Sequence, residues 1–341
     1  MATFEINVPI ENKNEKITTR IADFKKYGFQ NIKNHKIKLY LMASKDNEID
    51  DLCEGWPDSV EPFFIKTPYV YVAQRVFYYY SSIIKPNRAD WYIRIDEDSI
   101  TDIDGLANIL EKRYDHERDY HLGGIINYDP CDLDRNLLGL LGFSEWYRGN
   151  ENFTGDNPAH EVEISITSNS AIQKFAENPL CKRYLEMRQE FSEGYGDQGF
   201  CHALRMCKIY PLHTKFLIHD PEILNFSIFG GVRYHIHHVS RDNTPKMLEW
   251  FDIFTKKMDE KLVNKIFFLS QIENGRKLVK LCDDYTICNF NGRRNETIGL
   301  WCSKEDKILM YSDIHREKII ILEKQNNEFV NGSFKLTFAQ Y

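Results

Sequence analysis

Short apolar runs alternate with helix-like segments between Lys36 and Ser240. The runs IKLYLMA (residues 37–43), DWYIRID (90–96) and HLGGII (121–126) are typical of buried strands, and VEISI (162–166) shows the period of two expected of a half-buried strand. Strands that alternate with helices along a chain usually form a mainly parallel sheet covered by helices. The pattern therefore predicts an α/β fold.

Capping residues and prolines indicate where the helices between these strands begin and end. A helix should start at Thr67 and Pro68 and end before Pro86, and another should start at Asp102 or Asp104 and reach residue 114. Further helices are predicted after Asn169 or Ser170, over residues 181–191 and over residues 197–206.

The pattern changes near Val263. A helical stretch over residues 245–262 is followed by short apolar runs such as KIFFL and KILMY, which are separated by turn-forming residues. We therefore predict two domains, an α/β domain over residues 1–262 and a small all-β domain over residues 263–341.

Charge and cysteine usage narrow the class of protein. The formal net charge of -7 argues against nucleic acid as a partner, because binding to phosphates needs a broad cationic surface. The eight cysteines contain no CxxC pair, which favours reduced thiols in a cytosol. Residues 1–16 lack an apolar signal core and no stretch has membrane-spanning length. We expect a cytoplasmic protein without a transmembrane segment, and peripheral association with a membrane stays open.

Three acids directly follow the apolar strand of residues 90–96, in the sequence IRIDEDS. If the chain stays extended there, Asp96 and Asp98 lie on one face and could share a hard divalent cation, while Glu97 turns away. The alternative is that Asp98 and Ser99 cap the following helix and Asp96 is solvated at the strand end.

The segment WYIRIDEDS resembles the DxD strand of the GT-A glycosyltransferases, in the fringe-like and β-galactosyltransferase-related branch. The resemblance covers roughly residues 36–240 and implies a GT-A-like, Rossmann-related fold. It also implies that Mn²⁺ (or Mg²⁺) joins Asp96 and Asp98 to the diphosphate of a nucleotide-sugar, most often a UDP-sugar, with Glu97 in the same contact region. The sequence departs from the branch in having DED where three aspartates are common.

The resemblance also implies roles for residues of two other motifs. EGYGDQGF (residues 193–200) looks like the acidic loop that many GT-A enzymes place against the acceptor. If the enzyme inverts the anomeric centre, Asp197 is the candidate general base. Asp197 could instead cap the helix that follows it. In RYHIHH (residues 233–238), the resemblance makes His237 the preferred third metal ligand and His235 the reserve.

Nucleotide contacts are also expected at the end of the first predicted strand, from Ala43 and Ser44. Arg75 on the following helix is a candidate for a phosphate contact, with a solvated helix face as the alternative.

The resulting expectation is a metal-dependent hexosyltransferase that moves sugar from a nucleotide-sugar to a hydroxyl of a glycan or another acceptor. The absence of a membrane anchor fits a bacterial-type enzyme of surface polysaccharide synthesis. Two rivals stay open. One is a histidine and carboxylate metal-dependent hydrolase or oxygenase that uses His235, His237 and His238. The other is a non-catalytic carbohydrate-binding protein.

Overall fold

The computed structural model describes most of the chain. The described residues are 2–10, 15–29, 32, 35–45, 54–123, 126–127, 132–143, 159–160, 164–191, 196–213, 217–218, 235–236, 261–271, 275–282, 286–290, 295–304, 306–312, 320–326 and 328–339. The chain divides into two compact units, Met1–His219 and Asp220–Tyr341. The helix predicted from residue 245 lies, up to residue 260, outside the described residues, and the boundary after residue 262 stays a prediction.

The strands of the first unit are short and mostly buried. They are β1 (Thr3–Pro9), β2 (Lys36–Ser44), β3 (Val60–Thr67), β4 (Trp91–Ile95), β5 (Ile100–Thr101), β6 (His121–Gly123), β7 (Ile126–Asn127), β8 (Ala159–His160), β9 (Ile164–Ser168), β10 (Leu212–His213) and β11 (Leu217–Ile218). The helices are α1 (Glu15–Gly28), α2 (Val72–Tyr78, continued by a π-helical turn over Tyr79–Ile83), α3 (Ile103–Arg113), α4 (Asp132–Leu140), α5 (Asn169–Glu177), α6 (Pro179–Gln189) and α7 (Gly196–Met206).

Within the described part of this unit, seven strands form one sheet in the order β10-β6-β9-β4-β1-β2-β3. The pairs β1 with β2, β1 with β4, β2 with β3 and β10 with β6 are parallel, whereas β9 runs antiparallel to both of its neighbours. The predicted α/β class, with a mainly parallel sheet flanked by helices, is confirmed.

The central strand β1 was not predicted, although it lies between β4 and β2. Its sequence TFEINVP alternates apolar residues with Glu5 and Asn7, as a surface strand would. In the structure both polar residues are buried, and Tyr79 Oη donates a hydrogen bond to Glu5 Oε1 at 2.7 Å. The tertiary partners of β1 therefore decide its position.

Two helix starts differ from the prediction. Thr67 ends β3 in register with Ser44, so α2 begins five residues later, after Tyr71, with no side-chain cap. Ser168, rather than Asn169 or Ser170, caps α5 by accepting a hydrogen bond from the Ala171 backbone N–H. Thr67 and Ser168 are both paired in the sheet, which delays α2 and fixes the start of α5.

One large apolar cluster covers a face of the sheet. It contains Tyr40, Met42 and Tyr92 of the strands together with residues of α2, α4, α5, α6 and α7. Two glycines bring α7 close to α2: a Cβ on Gly196 would lie 2.7 Å from Val76 Cβ, and one on Gly199 would lie 2.4 Å from Phe77 Cε1. These glycines are needed for helix packing.

The second unit contains a short strand, β12 (His235–Ile236), and eight strands that form a closed antiparallel barrel. The barrel strands are β13 (Ile266–Gln271), β14 (Gly275–Leu281), β15 (Thr286–Phe290), β16 (Asn295–Lys304), β17 (Lys307–Ser312), β18 (Ile320–Gln325), β19 (Glu328–Asn331) and β20 (Phe334–Phe338). Pairing of β13 with β20 closes the barrel, and Phe267, Trp301 and Leu336 are among its buried interior residues. The predicted all-β character is confirmed.

In the described part of the chain, no helix combines the length and the apolar character that crossing a bilayer requires.

Candidate functional site

The parallel strands of the first unit end along one edge of the sheet. Ser44 at the end of β2 is in register with Thr67 at the end of β3, and Pro9 of β1 is in register with Met42. On the other side of β1, the pairing of Asn7 with Arg94 brings the end of β4 to the same edge. Open α/β sheets bind ligands at this carboxyl edge.

The three acids of the DxD segment lie in a turn at this edge, which we call the acidic turn (residues 96–99). The chain is not extended there, because the Ser99 backbone N–H donates a hydrogen bond to the Asp96 carbonyl at 3.2 Å. The condition of an extended chain is therefore not met, and Asp96 and Asp98 do not share a face by the alternation of a strand. The side chain of Glu97 is buried, with its Oε1 3.4 Å from Arg20 Nη1.

Two arginines contact the acidic turn from different elements. Arg94 of β4 places Nη2 2.6 Å from Asp96 Oδ1. Arg20 of α1 places Nη1 3.4 Å from Glu97 Oε1 and Nη2 3.5 Å from Asp98 Oδ2. A strong charge-assisted hydrogen bond has a donor–acceptor distance near 2.8 Å, so Arg94 holds Asp96 tightly and Arg20 holds the other two acids loosely.

Close packing of α1 against β5 positions Arg20. A Cβ on Gly28, the last residue of α1, would lie 2.8 Å from the Thr101 carbonyl oxygen, so only glycine permits this approach. Arg20 lies two turns earlier on α1 and reaches the acids that precede β5.

Three carboxylates and two guanidinium groups meet at the acidic turn, in side chains that are at most 16% exposed. Carboxylate oxygens are suitable ligands for Mg²⁺ or Mn²⁺.

Among the described residues no group of three metal-ligating side chains is assembled. This does not conflict with a metal–diphosphate site, because Mg²⁺-type ions commonly take one or two carboxylates and complete their shell with water and phosphate oxygens. Asp98 and Asp96 fit such a donor set.

The alternative role for Asp98 and Ser99 as helix caps is wrong. Asp102 caps α3, as one of the two predicted candidates, by accepting a hydrogen bond from the Gly105 backbone N–H at 3.0 Å. Burial raises the pKa of Asp102, although the Gly105 hydrogen bond opposes this effect. The acidic turn is thus not needed to cap the helix that follows it.

The predicted nucleotide contacts lie in different surroundings. Ala43 and Ser44 end β2 at the carboxyl edge, and both are buried. Arg75 is 1% exposed, so the alternative that it lies on a solvated helix face is wrong. Its Nη1 donates to the carbonyl of Val70 at 3.1 Å, which fixes the segment before α2. Its phosphate contact stays a prediction.

Asp197 is the second residue of α7, and its side chain is not among those described. The neighbouring Gly196 and Gly199 allow the close contact between α7 and α2. The role of Asp197 as general base stays a prediction.

The histidine ligands also stay predictions. His235 belongs to β12, with its side chain outside the described set, and His237 lies outside the described residues.

Sequence reasoning missed the two arginines of the site. Arg94 carried a signal, since a charged residue inside the buried run WYIRI needs a nearby partner, and Asp96 is two positions away. Arg20 carried none, because it comes to the acids through the packing of a helix that was not predicted.

No family model matches the chain, and neither does any curated protein. A solved structure similar in fold is that of mouse xyloside xylosyltransferase 1 in its apo form, with a TM-score of 0.44 and 10% sequence identity. The alignment covers 71% of this chain and 99% of the mouse chain.

Proposed function

We propose that the chain is a metal-dependent glycosyltransferase that transfers a sugar from a nucleotide-sugar, with a UDP-sugar as the preferred donor class, to a hydroxyl of a glycan acceptor. The observation that carries the proposal is the acidic turn at the carboxyl edge of the parallel strands, where Asp96 and Asp98 lie three residues or fewer after the end of β4.

The two aspartates have unequal roles in this proposal. Asp98 is the candidate for direct contact with a cation, because its 3.5 Å distance to Arg20 is longer than that of a strong charge-assisted hydrogen bond. Asp96 is held in place by Arg94 at 2.6 Å through one carboxylate oxygen, which leaves it a fixed, oriented group beside the cation. When bound, a divalent cation would supply charge neutralisation for the departing diphosphate.

Arg20 has a second use in the same proposal. A guanidinium released from Asp98 keeps its positive charge at the edge of the site, where it can donate to a phosphate oxygen. The acceptor hydroxyl needs a base, and Asp197 is the candidate for that step.

The test is a panel of nucleotide-sugars incubated with Mn²⁺ and simple glycan acceptors, with free nucleotide as the readout. We expect at least one donor to release nucleotide with the wild type, and Asp98→Asn to lower that rate at least ~10-fold. The matched control is Asp306→Asn, since Asp306 also has a carboxylate 3.5 Å from a cationic side chain, Lys324, but lies in the barrel unit.

A panel in which no donor exceeds the Asp98→Asn background would remove the basis of the proposal. So would an equal loss in Asp306→Asn. Tight binding of zinc or iron without affinity for any nucleotide would instead favour the hydrolase or oxygenase alternative.

A further inference from the structure

Two thiols in the first unit lie in direct contact, outside the acidic turn. Cys181 in the first turn of α6 and Cys207, directly after α7, have their sulfur atoms 3.3 Å apart. The pair is reduced, with each sulfur also held by its surroundings. Cys181 Sγ lies 3.0 Å from the Ala203 carbonyl oxygen, and the Asn178 side-chain amide donates to Cys207 Sγ at 3.6 Å.

The two thiols differ in access to solvent. Cys181 is fully buried, whereas Cys207 is half-buried and its Sγ lies 3.4 Å from the Lys174 carbonyl near the surface. A small reagent can therefore reach Cys207 first. The buried Cys181 can then react with the mixed disulfide formed at Cys207.

We propose that Cys207 and Cys181 form a redox modification site, at which a small-molecule disulfide such as oxidised glutathione reacts with Cys207 and Cys181 then closes an intramolecular disulfide. The inference is independent of the proposed transferase activity.

The chemistry balances in two exchanges. The Cys207 thiolate attacks one sulfur of the small disulfide, whose S–S bond breaks and releases one small thiol. Cys181 then gives up its proton, its sulfur attacks Cys207 Sγ in the mixed disulfide, and the second small thiol leaves. Two protein thiols are oxidised and one small disulfide is reduced to two thiols.

The electrostatics favour this order of attack. The hydrogen bond from Cys181, supported by Asn178 and Lys174 and opposed by burial and by Asp119, lowers the pKa of the Cys207 thiol to about 7. The same contact and burial raise the pKa of Cys181 well above its ordinary value. Cys207 is thus the attacking thiolate at neutral pH, and Cys181 is the resolving thiol.

The crosslink would join α6 to the residue after α7, and the enclosed segment contains Gly196 and Asp197. Closing a loop of this size restricts the unfolded chain, so the oxidised protein should melt several degrees above the reduced one.

The test is oxidation of the full-length protein with oxidised glutathione, followed by non-reducing trypsin digestion and mass spectrometry. Cleavage at lysine and arginine gives the peptides of residues 175–182 and 206–208. We expect them to appear as one disulfide-linked species in the wild type. In the Cys181→Ser variant the reaction should stop at the mixed disulfide, with one glutathione on Cys207. In the Cys207→Ser variant Cys181 should stay unmodified.

Cys201→Ser is the matched control, because Cys201 is a buried thiol of α7 whose sulfur lies 3.0 Å from His121 Nε2, and the linked species should persist in it. A second measurement follows alkylation of Cys207 with iodoacetamide against pH: the midpoint should lie near 7 and move upward in Cys181→Ala. A wild type that never forms the linked species, or a Cys207 that alkylates no faster than Cys201, would overturn the proposal.

Discussion

Arg94 Nη2 lies 2.6 Å from Asp96 Oδ1 at the end of β4, and both groups are largely removed from solvent. Two positions later, Asp98 Oδ2 lies 3.5 Å from Arg20 Nη2. The two aspartates of one turn thus contact their arginines at different distances, and the shorter ion pair is the stronger one.

Removing Asp96 and removing Asp98 should therefore have different effects on stability. Asp96→Ala leaves the buried guanidinium of Arg94 without this carboxylate and should lower the free energy of unfolding by about 2 kcal/mol. Asp98→Ala should lower it by less than Asp96→Ala, because the 3.5 Å contact with Arg20 is longer than a strong charge-assisted hydrogen bond. Urea unfolding of both variants measures the difference, and equal losses would contradict this assignment.

Gly199 should not tolerate a side chain. A Cβ there would lie 2.4 Å from Phe77 Cε1, so Gly199→Ala should lower the free energy of unfolding by about 1–3 kcal/mol despite the better helix propensity of alanine. Gly332→Ala is the control, since a Cβ at Gly332 meets nothing within 4 Å. In the Gly199→Ala background, Phe77→Leu should recover part of the lost stability. If thermal unfolding shows no loss of stability in Gly199→Ala itself, α7 and α2 do not approach each other as closely as 2.4 Å implies.

His202 should make the protein sensitive to acid. Burial lowers the pKa of His202 to about 4. The charges of Arg205 and Arg188 act in the same direction, whereas the charge of Asp134 opposes it. In the unfolded chain His202 takes up a proton near pH 6.5, whereas in the folded chain it does so only near pH 4. The free energy of unfolding therefore falls as the pH drops from 6.5 to 4, by about 3 kcal/mol at pH 4.

His202→Gln should remove this contribution. The free energy of unfolding of the wild type minus that of the variant, followed from pH 7 to pH 4, should decrease by about the amount given above. A difference that stays constant with pH would show that His202 titrates alike in both states.

The buried ion pair between α4 and α6 should be costly to break from one side. Arg188 Nε lies 2.7 Å from Asp134 Oδ1, both side chains are 0% exposed, and Tyr184 Oη donates to the same oxygen at 2.5 Å. Asp134→Asn leaves the Arg188 charge uncompensated and should lower the free energy of unfolding by about 3–5 kcal/mol.

A second substitution distinguishes charge from packing at this place. Arg188→Met added to Asp134→Asn removes the uncompensated charge and should recover most of the lost stability, as chemical denaturation would measure. No recovery would mean that packing of Arg188 over the Phe77 ring, 5.0 Å from its centroid, contributes more than the charge.

The local sequence pattern was sufficient to predict many of the helices and strands of the first unit. The buried run of β4, the helix capped by Asp102, and α6 and α7 follow from period, caps and composition, because these signals act within a few residues of the chain. The barrel strands β13 and β17 coincide with the predicted apolar runs KIFFL and KILMY, since alternation and turn residues define each strand locally.

By itself, the sequence determined the class of fold, the position of the acids after a buried strand, and the all-β character of the C-terminal region. Only the tertiary structure decided that β1 is central, that the chain turns at Glu97, that Arg20 and Arg94 contact the acids, and that Gly196 and Gly199 serve a helix contact. The physical reason is distance along the chain: a strand's period or a helix cap is a local property, whereas an ion pair between residues 20 and 98 exists only after α1 has packed against β5.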